Sequence, residues 1–110
     1  MEFYDEPFSH IIIDNFLPID LAKQLSNEFI DFNSKEWFVY NNPLENKKAL
    51  NNWYFFPQHT YQFFQHLISP QFVQFLRQST FCEELTPDCG LHGAGWHIQG
   101  NNGKLNVHLD

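Results

Sequence analysis

This 110-residue chain carries a formal charge of −7, with only Arg77 and five lysines as cations. Binding to backbone phosphates needs clustered Lys and Arg, and beyond the adjacent pair Lys47-Lys48 there is no cluster, which excludes nucleic acid as the main partner. The hydrophobic content of 43%, with 13 Phe, 3 Trp and 4 Tyr, suits one aromatic-rich core rather than disorder, and the length predicts a single domain over residues 1–110.

In chain order, the N-terminal MEFYDEPFSH is acidic and lacks the positive start and apolar stretch of a signal peptide. The longest apolar runs are too short to span a bilayer, so no membrane partner is expected. A cytoplasmic location follows, in which Cys82 and Cys89 stay as unpaired thiols. Within PFSHIIIDNFL, the β-branched run 11–13 predicts a strand that Asp14-Asn15 ends. Pro18 leads into a helix over about residues 19–31, where Leu21, Leu25 and Phe29 form one apolar stripe. Residues 33–53 are polar and broken by turns. Within them 37–40 reads as a short strand and 44–50 as a helical turn. Thr60 predicts the N-cap of a helix over 61–68, and Ser69-Pro70 starts another that runs to about Ser79. From Gly90 the sequence is glycine-rich. Trp96-His97-Ile98 looks extended, Asn102-Gly103 predicts a two-residue hairpin turn, and the alternating KLNVHLD predicts a strand over 104–110.

On that strand His108 and Asp110 would project from the same face, about 7 Å apart. An imidazole and a carboxylate so placed form two thirds of a facial triad for Fe(II), which leaves coordination positions open for cosubstrate and O₂. A lone His-x-Asp triplet is common by chance, and its bland reading is an edge-strand His beside a solvated Asp. Its surroundings add the meaning. The segment LTPDCGLHGAGWHIQGNNGKLNVHLD, residues 85–110, resembles the start of the catalytic core in Fe(II)- and 2-oxoglutarate-dependent oxygenases related to prolyl 4-hydroxylase. PFSHIIIDNFLPIDLAKQL is similar to the opening strand, Leu-Pro turn and helix of that group.

The resemblance implies an α+β fold, with helices packed on an incomplete double-stranded β-helix of the jelly-roll, cupin type. It implies His108 and Asp110 as metal ligands and 2-oxoglutarate as cosubstrate, with ascorbate as a further candidate cofactor. The implied reaction couples oxidative decarboxylation of 2-oxoglutarate to hydroxylation of an unactivated C–H bond, on a small molecule or a protein side chain. Gln99 falls where related enzymes often place a Tyr or polar residue that contacts the cosubstrate; an exposed hairpin Gln is the alternative. The distal His and the Arg or Lys that pairs with 2-oxoglutarate lie downstream in the family. These 110 residues alone are therefore expected not to turn over.

Other readings of the same residues are weaker. Cys82, Cys89, His92 and His97 make C-x6-C-x2-H-x4-H, too widely spaced for a standard zinc module. GLHGAG lacks the GK[ST] ending of a phosphate loop. His10, His59 and His66 have no spacing partners and read as structural. The non-enzymatic alternative is a scaffold or interaction domain that keeps part of the fold.

Overall fold

Three α-helices and two antiparallel sheets make up the described part of the computed structural model. It describes residues 1–108; Leu109 and Asp110 lie outside the described residues. The architecture is α+β. The chain packs as two units, one of residues 1–28 and 57–87, the other of residues 29–56 with the segment from Asp88 onward.

In the first unit, β2 (His10–Ile12) covers most of the predicted strand. Its partner was not foreseen: β1 (Glu2–Tyr4) lies antiparallel to it, with Phe3 facing Ile11. Asn15 takes φ 55 at the predicted strand end, a conformation that Asn tolerates better than most residues. The helix α1 (Ile19–Asn27) begins after Pro18 as expected but stops short of residue 31. The apolar stripe buries Leu25, and Glu28, as C-cap, donates its backbone N–H to the carbonyls of Gln24 and Leu25. Phe29 then belongs to the other unit, where its ring lies 5.5 Å from Trp37 and 5.7 Å from Trp96.

Two further helices complete this unit. The helix α2 (Gln58–Leu67) follows Pro57, so Thr60 is not its N-cap but sits inside the first turn, 0% exposed. The capping oxygen comes instead from Glu28, 32 residues away in sequence. The helix α3 (Pro70–Thr80) starts as predicted: Ser69 accepts from the Phe72 N–H at 3.2 Å, with Pro70 in the first turn. It ends at Phe81, in the left-handed conformation with φ 58. Ser69→Ala should cost about 1 kcal/mol, the usual value of such a cap, and a urea titration followed by far-UV circular dichroism would measure it.

In the second unit the predicted strand at 37–40 appears as β3 (Phe38–Asn41). The expected helical turn at 44–50 is overturned. Residues Glu45–Leu50 form β4, which pairs with β3 on one side and with β5 (Trp96–Ile98) and β6 (Lys104–Leu105) on the other. Helix propensity in ENKKAL is a weak preference, and hydrogen bonding along both edges of a central strand outweighs it. Asn42 closes the β3–β4 turn, its side chain accepting from the N–H groups of Leu44 and Glu45. The buried side chains of this unit include Trp37, Ala49, Leu50 and Leu91. Gly95 has φ 137, and a Cβ there would lie 2.4 Å from the Leu50 carbonyl oxygen. Only glycine lets β5 begin this close to β4.

The predicted hairpin at Asn102-Gly103 is also corrected. β5 and β6 do not pair with each other; both pair with β4, end to end along one edge. Lys48 faces Ile98 and Asn46 faces Lys104, so two steps along β4 match six along the other chain. The excess of four residues loops out, closed by a turn in which Gly103 N–H donates to Gly100 O at 3.0 Å. The Asn-Gly signal marks a real turn, with Asn102 at φ 66, but the turn interrupts an edge instead of reversing the chain. The strand expected over 104–110 is correspondingly short: β6 ends at Leu105. One further contact, Asn106 N–H to Leu44 O at 2.9 Å, extends the association with the edge.

Candidate functional site

His108 follows the end of β6, with its side chain exposed. Its Nδ1 lies 2.9 Å from the Asn106 carbonyl oxygen. A carbonyl oxygen only accepts, so Nδ1 carries a proton, and in the neutral ring the lone pair is then on Nε2. That is the tautomer in which imidazoles commonly bind metals, with the second nitrogen donating to a backbone carbonyl. Asn106 is itself held to Leu44, so the chain reaches His108 from an anchored point. Asp110, the second proposed ligand, lies outside the described residues. Gln99 is exposed at the start of the four-residue excursion. A Cβ on Gly103 would come within 2.6 Å of the Gln99 Cβ, so the closeness of these two residues needs the glycine. Among the described residues, no group of three or more His, Cys, Asp or Glu side chains comes together in a way that could hold a metal ion.

The residues of the discounted zinc pattern do other things. Cys82 and Cys89 are free and exposed. His92 Nδ1–H donates to Asp88 Oδ1 at 3.0 Å, and Gly93 N–H donates to Asp88 Oδ2 at 3.0 Å. These bonds, the Gly93 amide first, hold the Asp88 carboxyl below its ordinary range. The loop they clasp is pinned to the sheet unit by Asn51, which donates to Leu91 O, and by Trp53, whose indole N–H donates to Cys89 O. His97 stands on β5 opposite Ala49. Partial burial, then the positive charge of Lys47, pushes its pKa down. Being adjacent on β4, Lys47 and Lys48 point to opposite faces of the sheet. Lys47 lies over the Tyr40 ring, while Lys48 lies over the Phe32 ring and donates to the Phe32 carbonyl.

A second constellation, in the first unit, was not legible from spacing. The Glu28 carboxylate receives four hydrogen bonds from the start of α2. Oε2 accepts from His59 N–H at 2.9 Å and from His59 Nδ1–H at 2.6 Å. Oε1 accepts from Thr60 N–H at 2.6 Å and from the Thr60 hydroxyl at 2.9 Å. Burial raises the pKa of this carboxyl, but the two backbone and two side-chain bonds outweigh burial and hold it at about 2. Two of the amides at the helix start, which have no partner within the helix, are thereby satisfied, and the charge lies at the positive end of the helix dipole. The other two histidines without spacing partners make local contacts. His10 stacks on Tyr4 at 5.1 Å and donates to Phe8 O, and His66 lies 5.2 Å from Phe72.

No family model, curated protein or solved structure matches the chain. The described residues hold one of the two expected iron ligands and, in the other unit, a half-buried carboxylate–imidazole pair. Among the same residues, no helix is long and apolar enough to cross a membrane.

Proposed function

We propose that the chain carries the opening part of the catalytic core of an Fe(II)- and 2-oxoglutarate-dependent dioxygenase of the prolyl 4-hydroxylase-like group. On this reading the antiparallel strands belong to a jelly-roll-like double-stranded β-helix. The observation that carries the proposal is the approach of the chain to His108. An edge strand paired to the centre of an antiparallel sheet ends at Leu105, three residues before His108, whose Nδ1 proton is tied to the backbone. The order of elements is compatible with it: an opening strand pair, a Pro-led helix, two strands, two further helices, then a glycine-rich stretch and two short edge strands.

His108, through Nε2, and the Asp110 carboxylate would hold the iron, one neutral and one charged donor of the types that suit Fe(II). When bound, iron and 2-oxoglutarate supply oxidative decarboxylation coupled to hydroxylation of an unactivated C–H bond. Gln99 would contact the cosubstrate through its amide. The third ligand and the basic partner of 2-oxoglutarate come from elsewhere in the enzyme, and the substrate is a small molecule or a protein side chain.

The test is metal retention and turnover in a protein that includes the third ligand. His108→Ala or Asp110→Ala should abolish iron retention and lower 2-oxoglutarate-dependent succinate release at least a hundredfold, in line with the loss of a metal ligand rather than of an outer partner. Unchanged iron content in either variant would remove that residue from the ligand set. Unchanged content in both would leave the scaffold reading.

A further inference from the structure

In the unit of residues 1–28 and 57–87, the Glu28–His59 pair stands beside a pocket of about 280 Å³. Phe16, Leu21 and Phe63 are among its apolar walls, and His59, Gln62 and His66 are its side chains with polar ends other than backbone. Glu28 itself does not line the pocket. Its Oε2 holds both the backbone N–H and the ring Nδ1–H of His59, which restrains the imidazole at two points. Nδ1 is turned to the carboxylate, so Nε2 is the polar atom the ring can offer the pocket. Among the described residues Nε2 makes no hydrogen bond, and the His59 side chain is 35% exposed. In the neutral ring this nitrogen is an acceptor, and the carboxylate on the opposite side fixes that tautomer.

The pocket selects its occupant in three ways. Its volume lies just below the roughly 300–1,000 Å³ usual for small-molecule sites, which suits a single ring. Its walls are apolar and partly aromatic, which favours an aromatic body packed edge-to-face or offset against Phe16 or Phe63. An anion would meet the ionised Glu28 just behind His59, and a cation would lose its hydration against the mostly apolar walls, so the ligand is neutral and brings a hydrogen-bond donor. We infer that this pocket binds a neutral single-ring hydroxyarene, its hydroxyl donating to His59 Nε2 and its ring lying among Phe16, Leu21 and Phe63. This inference stands apart from the iron reading and does not depend on it.

Phenol and anisole are the probes: they share the ring, but only phenol has the donor. Each is titrated into the 110-residue protein, followed by histidine side-chain and aromatic NMR signals. Phenol should give a saturable shift of the His59 ring nitrogens and bind about tenfold more tightly than anisole, the value of one net hydrogen bond. His59→Phe should erase that preference, and Leu21→Trp, which fills the pocket, should abolish binding of both. Equal affinity for the two probes in the unsubstituted protein, or shifts that spread over exposed rings without saturation, would overturn the inference. The comparison in the unsubstituted protein decides the matter even where a variant fails to fold.

Discussion

Replacing Glu28 with alanine is expected to cost the helical unit about 2 kcal/mol. The carboxyl titrates at about 2 in the folded chain against an ordinary value of 4.5, and a gap of that size corresponds to roughly 3 kcal/mol. The side chain is part-buried, 16% exposed, so solvent screening takes a share of this and leaves about 2 kcal/mol. Because the folded-state pKa lies below the unfolded one, this stabilisation is fully present above about pH 4.5. It is lost as pH falls through the window from 4.5 towards 2. All three α-helices lie in the unit of residues 1–28 and 57–87, so far-UV circular dichroism reads it directly. Acid titration of the unsubstituted chain should show helix loss in that window. Glu28→Gln, which cannot ionise, should start less stable at neutral pH and lose less on acidification. An identical acid profile for the two proteins would rule out Glu28 as the group responsible.

The second large effect is expected at Leu50, on the central strand of the sheet unit. It is 1% exposed and sits opposite Trp96 in the β4–β5 register. Leu50→Ala removes buried methyl and methylene groups from a site hemmed in by backbone, with Gly95 already at the limit of approach, so the space cannot easily collapse. A loss of roughly 3–4 kcal/mol follows from the behaviour of buried Leu→Ala changes. Val39→Ala, on the outer strand of the same sheet and 57% exposed, should cost under about 1 kcal/mol by comparison. Trp37, Trp53 and Trp96 all lie in this unit, so tryptophan fluorescence during urea unfolding compares the two variants. Equal midpoints would mean that β4 does not organise the sheet.

The elements that could be read from the sequence are those whose cause is local. Ser69-Pro70 starts a helix because a hydroxyl and a ring with fixed φ satisfy that helix's own first turn. The stripe of Leu21 and Leu25 makes α1 because helical periodicity gathers it on one face. Residues 11 and 12 fall in a strand because β-branched residues suit extended backbone. Asn102-Gly103 turns because Asn accepts positive φ. What the turn connects was not local information, and there the expectation of a hairpin failed.

For the candidate sites the division is the same. Covalent order brings His108 and Asp110 together by being two residues apart, so the proposed iron ligands could be named from the chain alone, along with Gln99 and the glycine-rich stretch before them. Glu28 and His59 could not, because 31 residues separate them and neither has a partner at helical or strand spacing. Their pairing exists only because α1 ends where α2 begins. Thr60 shows the same reversal: its residue type signals a cap, yet the fold buries it and supplies the cap from another helix. The polar ENKKAL becomes a central strand because β3 on one side and β5 and β6 on the other satisfy its backbone, a gain no single segment can register. Local chemistry decided where this chain turns and where α1 and α3 begin. Tertiary structure alone decided strand order, the end of α1 and the carboxylate–imidazole pair, since each rests on hydrogen bonds between segments far apart in sequence.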